Sequence, residues 1–413
     1  MCSGARADDQ FNLGLSTNRW PRGRDPSVQR TCPRVVDRWT HRKFPLSAGP
    51  SAVKIDHSRT FDRPDCTTGI GEEWFRRSAG RARKALTGPL RQYVGQGGDR
   101  PGLLTSTRLE APLIADGLIA FPITPMDAAG CVDSETLRRL VRRLVEAEVD
   151  AVCVLGSTGS YPFLAREERR RAIEAAAAEA DGGLPLLAGV GALRTDHAIL
   201  HAQDAAAAGA ARGLLAPMSY TPLTDEEVDT HFAAVAQAAG LPLCIYDNPA
   251  STHFAISDTL IERLSRIPNV VALKSPSPSG PEARDRVQAL RSRTPDGFSV
   301  GFSGDANAAE AMIAGGDAWY SVLGGLFPAP VVAIRRAVAA GDIEAARRLD
   351  RALRPMWELF REFSGLRVVY AAARLTGLCE ADPPRPILPL APAARARVAA
   401  VIEELSQVLG GYA

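Results

Sequence analysis

From about residue 113 onward, short apolar runs alternate with longer stretches of mixed polarity. The runs fall at 118–121, 151–155, 184–188, 213–216, 243–246, 270–273, 298–302 and 318–322. Each has strand length and is apolar at successive positions, as a strand covered on both faces must be. Between the runs the apolar period changes to that of a helix. Leu137, Leu140, Val141, Leu144 and Val145 form an i, i+3, i+4, i+7, i+8 stripe, with Arg138, Arg139, Arg142 and Arg143 on the opposite face. Thr224 and Glu227 have the spacing of a capping box and open a helix carrying Val228, Phe232 and Val235. Alternating strands and helices imply parallel strands with right-handed crossovers. Eight such units in roughly 220 residues predict a closed (β/α)8 barrel, the TIM-barrel class. Helical patterns continue beyond the eighth unit, near 342–363, 365–377 and 392–408.

The first 112 residues read differently. They are rich in Arg, Pro, Gly, Ser and Asp and show little hydrophobic period. A segment such as 19–26, Arg-Trp-Pro-Arg-Gly-Arg-Asp-Pro, offers too little apolar surface to offset the entropy of ordering. A disordered extension is expected there, with one short basic helix conceivable over 74–94. Asp8, Asp9, Asp25 and Asp37 count against an organelle-targeting peptide, because such peptides are poor in acids. The expected division is therefore an extension (1–112), a barrel (113–340) and a C-terminal helical region packed on the barrel (341–413).

Composition narrows the classes of partner. The chain has 413 residues, 46% of them hydrophobic, and a net charge of +2. That balance predicts no nucleic-acid partner and no membrane partner. Seven scattered cysteines without a C-x-x-C pair fit a reducing cytoplasm rather than a disulfide framework. No basic-then-apolar leader is visible, so a cytoplasmic location is expected.

Candidate chemistry gathers where the apolar runs end. Lys274 closes the run 270–273, which puts an amine at the rim of an apolar interior. Burial there disfavours a charged ammonium, and a neutral amine attacks carbonyls to form Schiff bases. Tyr246 ends another run, and Gly156, Ser157, Thr158, Gly159 and Ser160 form a small hydroxyl-rich turn after a third. Singly, each feature is ordinary: a loop charge, a packed ring, a turn. In a barrel, however, the C-terminal ends of the strands share one face, so the three converge. Other signals are weaker. Gly189, Gly191 and the residues between start like a dinucleotide loop but lack the third glycine. His197 and His201 have i, i+4 spacing without the Glu of an H-E-x-x-H frame, so no metal and no cofactor is expected.

These motifs, in this order, resemble the dihydrodipicolinate synthase and N-acetylneuraminate lyase family over residues 113 to 410. Gly156-Ser157-Thr158-Gly159 resembles its Gly-[Thr/Ser]-Thr-Gly-Glu loop, Tyr246-Asp247-Asn248-Pro249 its Tyr-Asn-x-Pro motif, and Leu273-Lys274 the segment with its Schiff-base lysine. Ser303-Gly304-Asp305 and the later Gly315-Gly316 resemble its glycine-rich strand and loop, and residues 123–127 its opening. The resemblance implies that Lys274 forms an imine with a 2-oxo acid, that Tyr246 moves protons, and that Ser157, Thr158 and Gly159 hold the carboxylate. It further implies a homo-oligomer, dimer or tetramer.

Departures from the family pattern bear on the substrate. Ser251 stands where family synthases carry an arginine for a second carboxylate. Ser160 replaces the glutamate that ends the hydroxyl loop, and Tyr220, a third catalytic candidate beside Lys274 and Tyr246, lies one position away from the tyrosine usually lent across a subunit interface. Ser251, His253 and the bulky Tyr320 are candidate substrate contacts. The expected activity is a lyase acting on pyruvate or a related 2-oxo acid. The alternatives are 4-hydroxy-tetrahydrodipicolinate synthase and, in another class, a 2-oxo-acid sensor without turnover.

Overall fold

Eight parallel strands close into a barrel, paired in chain order, with the first also joined to the last. They are β1 (Gly117–Ala120), β2 (Ala151–Val154), β3 (Leu186–Gly189), β4 (Arg212–Leu215), β5 (Leu243–Tyr246), β6 (Val270–Pro276), β7 (Ser299–Ser303) and β8 (Ala318–Ser321). The computed structural model describes residues 116–409. The expectations for residues 1–112, including the helix over 74–94, lie outside the described residues. Helices alternate with the strands, so the architecture is a TIM barrel with further helices after the eighth strand.

The strands read as continuous apolar runs because both their faces are covered. Ile119, Leu187, Leu214 and Tyr246 point into the barrel, whereas Leu118, Ala188, Leu215 and Ile245 pack outward against the helices. Neighbouring residues of one strand thus serve two separate cores.

β6 is longer than its apolar run. Lys274, Ser275 and Pro276 continue the ladder, pairing with Gly301, Phe302 and Ser303 of β7. Lys274 also pairs with Tyr246 of β5. Polar side chains ended the hydrophobic pattern, but the backbone pairing carried on past it. Lys274 therefore sits inside a strand, not on the loop after it.

The helix Ser134–Glu146 buries Leu137, Leu140, Val141 and Leu144, and the Asp133 side chain caps it by accepting the Thr136 N–H at 3.0 Å. Val145 is 38% exposed, because eight residues of helical rotation carry it about 80° from Leu137. The capping box of Thr224 and Glu227 forms as expected and opens the helix Asp225–Ala238.

The single helical stretch expected near 342–363 is two helices, Ile343–Ala352 and Arg354–Phe363. Pro355 has no N–H to continue the first helix and sits instead in the opening turn of the second. Gly365–Leu375 and Pro392–Leu409 follow. The Tyr370 hydroxyl donates to the Thr124 carbonyl at 3.2 Å, which ties this region to the loop after β1. No helix among the described residues is long and apolar enough to cross a membrane.

Phe232 is fully buried between its helix and the barrel. Replacing it with alanine should cost about 3–5 kcal/mol of stability, by lost apolar burial and the cavity left behind. Urea denaturation followed by circular dichroism measures this, and a loss under about 1 kcal/mol would show that the layer repacks.

Candidate active site

The C-terminal ends of the strands surround a cavity of about 830 Å³. Lys274, Tyr246, Ser157, Thr158, Ser251 and Tyr320 all line it. Phe121, Tyr161, Asn248 and Arg367, which the sequence reading did not single out, line it as well.

Lys274 is 5% exposed, and its position follows from the two ladders that hold its backbone. Its Nζ lies 3.6 Å from the centroid of the Tyr246 ring and 5.2 Å from that of Phe121. Among the described residues no acidic side chain lines the cavity, so none of their carboxylates engages the amine there. Asp247, adjacent in sequence to Tyr246, is turned away. Its carboxylate accepts the Ile256 N–H at 3.4 Å and the Ser275 hydroxyl at 3.5 Å, while burial raises its pKa.

The second group is a triangle of polar atoms. The Tyr246 hydroxyl and Ser157 Oγ are 2.8 Å apart. Asn248 Nδ2 donates to both, at 2.8 Å to the tyrosine and 3.2 Å to the serine. Two edges of the triangle thus use the two amide hydrogens. The third edge uses one hydroxyl hydrogen, and exactly one of the two hydroxyls keeps a hydrogen to offer the cavity. Rotating both hydroxyls exchanges which one offers it. The arrangement can pass a proton between the two hydroxyls within a fixed frame.

The frame is built by backbone that ordinary residues rarely adopt. Leu155 has φ +58° and Ser160 φ +56°, so the loop between them turns tightly at both ends. At Gly156 a Cβ would come within 2.5 Å of the Phe121 ring, so glycine is what lets that ring lie against the loop and face Lys274.

Three candidates are not brought to the cavity wall. Gly159 lies under the loop, where a Cβ would come within 2.7 Å of the Leu155 nitrogen; it shapes the turn from behind. Tyr220 is 97% exposed on the loop after β4. His253 follows the short helix Pro249–Thr252 with φ +57°, and that left-handed turn leaves it exposed. Tyr320 contributes its ring only. Its hydroxyl points into the barrel, 3.3 Å from Cys244 Sγ, whose thiol burial pushes up to about 11. Trp319 faces the opposite layer and donates its indole N–H to Asp305 at 2.8 Å.

The chain matches the model of the dihydrodipicolinate synthetase family over residues 115–405. Among characterised relatives it is similar to 4-hydroxy-tetrahydrodipicolinate synthase of Alcanivorax borkumensis. The two are 35% identical over 283 residues, covering 68% of this chain and 95% of the relative. The enzyme of the same name from Neisseria meningitidis is 33% identical, covering 72% of this chain and all of the relative. Among solved structures, dihydrodipicolinate synthase from Agrobacterium tumefaciens is 54% identical with a TM-score of 0.70, covering 71% of this chain and 99% of that one. The Acinetobacter baumannii enzyme, solved in complex with pyruvate, is 28% identical with a TM-score of 0.65, covering 71% and 99%.

Gly156→Ala should force Phe121 aside and cost about 1–3 kcal/mol, the usual penalty of overpacking. Thermal unfolding reads the loss, and an unchanged melting temperature would show that Phe121 moves freely.

Proposed function

The chain belongs to the dihydrodipicolinate synthetase family, and from that premise we propose that Lys274 forms a Schiff base with the ketone of pyruvate or a related 2-oxo acid. The single observation that carries this is the amine itself: buried, facing the Tyr246 ring, and with no acid among the described residues of the cavity wall. The chain is accordingly a lyase of the class I aldolase type.

The lysine nitrogen attacks the ketone carbon, and the new C–N bond pushes the carbonyl electrons onto oxygen. The Tyr246 hydroxyl gives that oxygen a proton and takes back, through Ser157, the proton that the nitrogen sheds after attack. A second proton, drawn from solvent in the cavity through the same pair, lets the oxygen leave as water, and the protonated imine remains. It withdraws electrons from the neighbouring carbon, so a proton or a carbon–carbon bond there breaks with its electron pair held in the enamine. Condensation with an aldehyde is the same path reversed. Thr158 and the amides of the tight turn grip the acid's carboxylate, because small residues let backbone N–H groups approach an anion. Asn248 is a positioning residue in this scheme. It spends no proton and holds the two hydroxyls at relay distance.

The second reading is 4-hydroxy-tetrahydrodipicolinate synthase, favoured by the activity for which the curated relatives are named. We further propose a homo-oligomer, dimer or tetramer, working in the cytoplasm. Leu193, 66% exposed, and the fully solvated Tyr220 stand on the loops after the adjacent strands β3 and β4, where a second copy would cover them.

Incubation with pyruvate and borohydride should add one reduced adduct on Lys274, found by peptide mass mapping, and Lys274→Ala should show none. An unlabelled Lys274 in the native protein would defeat the imine reading.

Asn248→Leu should lower kcat about tenfold to a hundredfold by releasing the relay, with little change in KM for pyruvate. A change in KM alone would assign Asn248 to binding instead.

A further inference from the structure

Arg367 lies far along the chain from the strand-end motifs, on the helix Gly365–Leu375, yet it lines the same cavity as Lys274. Among the described residues the two are the only cationic side chains on that wall, and no acidic one lines it. Arg367 is half-buried, and no hydrogen bond or ion pair engages its guanidinium among the described residues. On its other side it shares a small hollow with Asp382, but that carboxylate is taken by Arg374 at 3.3 Å.

The backbone is arranged to bring this residue in. Ser364 joins the helices Arg354–Phe363 and Gly365–Leu375 with φ +73°, a conformation costly for a serine. The reversal it makes starts the second helix at the cavity, so that Ser364, Gly365, Leu366 and Arg367 all line it. The positive end of the helix dipole therefore adds to the arginine's charge. A half-buried guanidinium without a partner, at a helix start and in the cavity of the reactive amine, is a site for an anion.

We propose that Arg367 is a specificity-determining residue and that the favoured substrate is a 2-oxo acid with a second carboxylate at the end remote from its ketone. This rests on the reading of Lys274 as the imine-forming residue. The hydroxyl turn holds the first carboxylate beside the ketone, and Arg367 takes the second in a two-pronged hydrogen bond. A carboxylate fits better than a phosphate, because one guanidinium and a helix start neutralise a single negative charge.

The test compares matched 2-oxo acids by borohydride trapping at varied concentration. The probes are 2-oxoadipate, the chain-matched 2-oxohexanoate, and an analogue ending in a phosphonate. In the native protein 2-oxoadipate should half-saturate at about tenfold to a hundredfold lower concentration than 2-oxohexanoate. That ratio should fall to near one in Arg367→Met and keep an intermediate value in Arg367→Lys. Circular dichroism melting confirms that the variants are folded. A native ratio near one, a ratio unchanged in Arg367→Met, or tighter binding of the phosphonate would each overturn the proposal. Calorimetric titration with glutarate, which has no ketone, supplies a reading independent of the imine: heat in the native protein that Arg367→Met loses supports the anion site, and equal heats defeat it. If pyruvate also fails to label native Lys274, it is the imine reading that has failed, and the glutarate result alone decides for Arg367.

Discussion

The site depends on one lysine being held by the sheet instead of by a loop. Lys274 is fixed on both sides, by Tyr246 in β5 and Gly301 in β7. Its flexible stem would otherwise cost entropy at every catalytic encounter. Here the stem lies between aromatic rings, and the nitrogen ends 3.6 Å from the centre of one of them. The same ladder that aligns Lys274 aligns Tyr246, so amine and phenol keep their separation without a side-chain contact having to enforce it. A salt bridge would have fixed the amine more strongly and occupied it. The structure avoids one by turning Asp247 toward Ile256 and Ser275.

A second buried carboxylate does for the far wall what the ladders do for the lysine. Asp305 accepts the Trp319 indole N–H and the amides of Val322 and Leu323. Its burial raises its pKa, which the four hydrogen bonds it accepts from Trp319, Val322, Leu323 and Ser321 counter. It thereby pins the loop after β8, and Val322 on that loop faces both the cavity and Gly365. The start of the helix bearing Arg367 thus rests on a loop held by a carboxylate at the start of the previous barrel helix. A change at Asp305 would be felt at the cavity although Asp305 is not on its wall.

The barrel was legible because its strands are covered on both faces, so that each appears as an unbroken apolar run. The extension of β6 was not, since backbone pairing leaves no mark once the side chains turn polar. The break before Pro355 did carry a signal, the missing N–H, which the periodicity on either side outweighed. In the site, Lys274, Tyr246 and Ser157 were readable as residue types placed at strand ends. Side-chain direction was not: His253 and Tyr220 also stand on the segments that follow strands, but a left-handed turn leaves one exposed and an open loop leaves the other in solvent. Asn248 lies inside the Tyr246-Asp247-Asn248-Pro249 motif, but the motif by itself assigns it no part. Only the distances to Tyr246 and Ser157 give it a role.

The division of the chain near residue 340 separates barrel from helices in sequence, but the cavity draws on both. The barrel supplies the amine, the relay and the hydroxyl turn, all near the floor. The later helices supply Ser364, Gly365, Leu366, Arg367 and, on the following segment, Ile387. Reaction chemistry needs only the floor, because it concerns the ketone and its neighbouring carbon. Discrimination needs the wall, because 2-oxo acids differ at their other end. On the proposed reading, a chain of this kind can keep its imine chemistry unchanged while its substrate is reset by residues in the C-terminal helices. Ser251 illustrates the division of labour: a small hydroxyl there leaves room at the rim, and the only guanidinium that the described residues bring to the cavity wall comes from a helix the barrel does not contain.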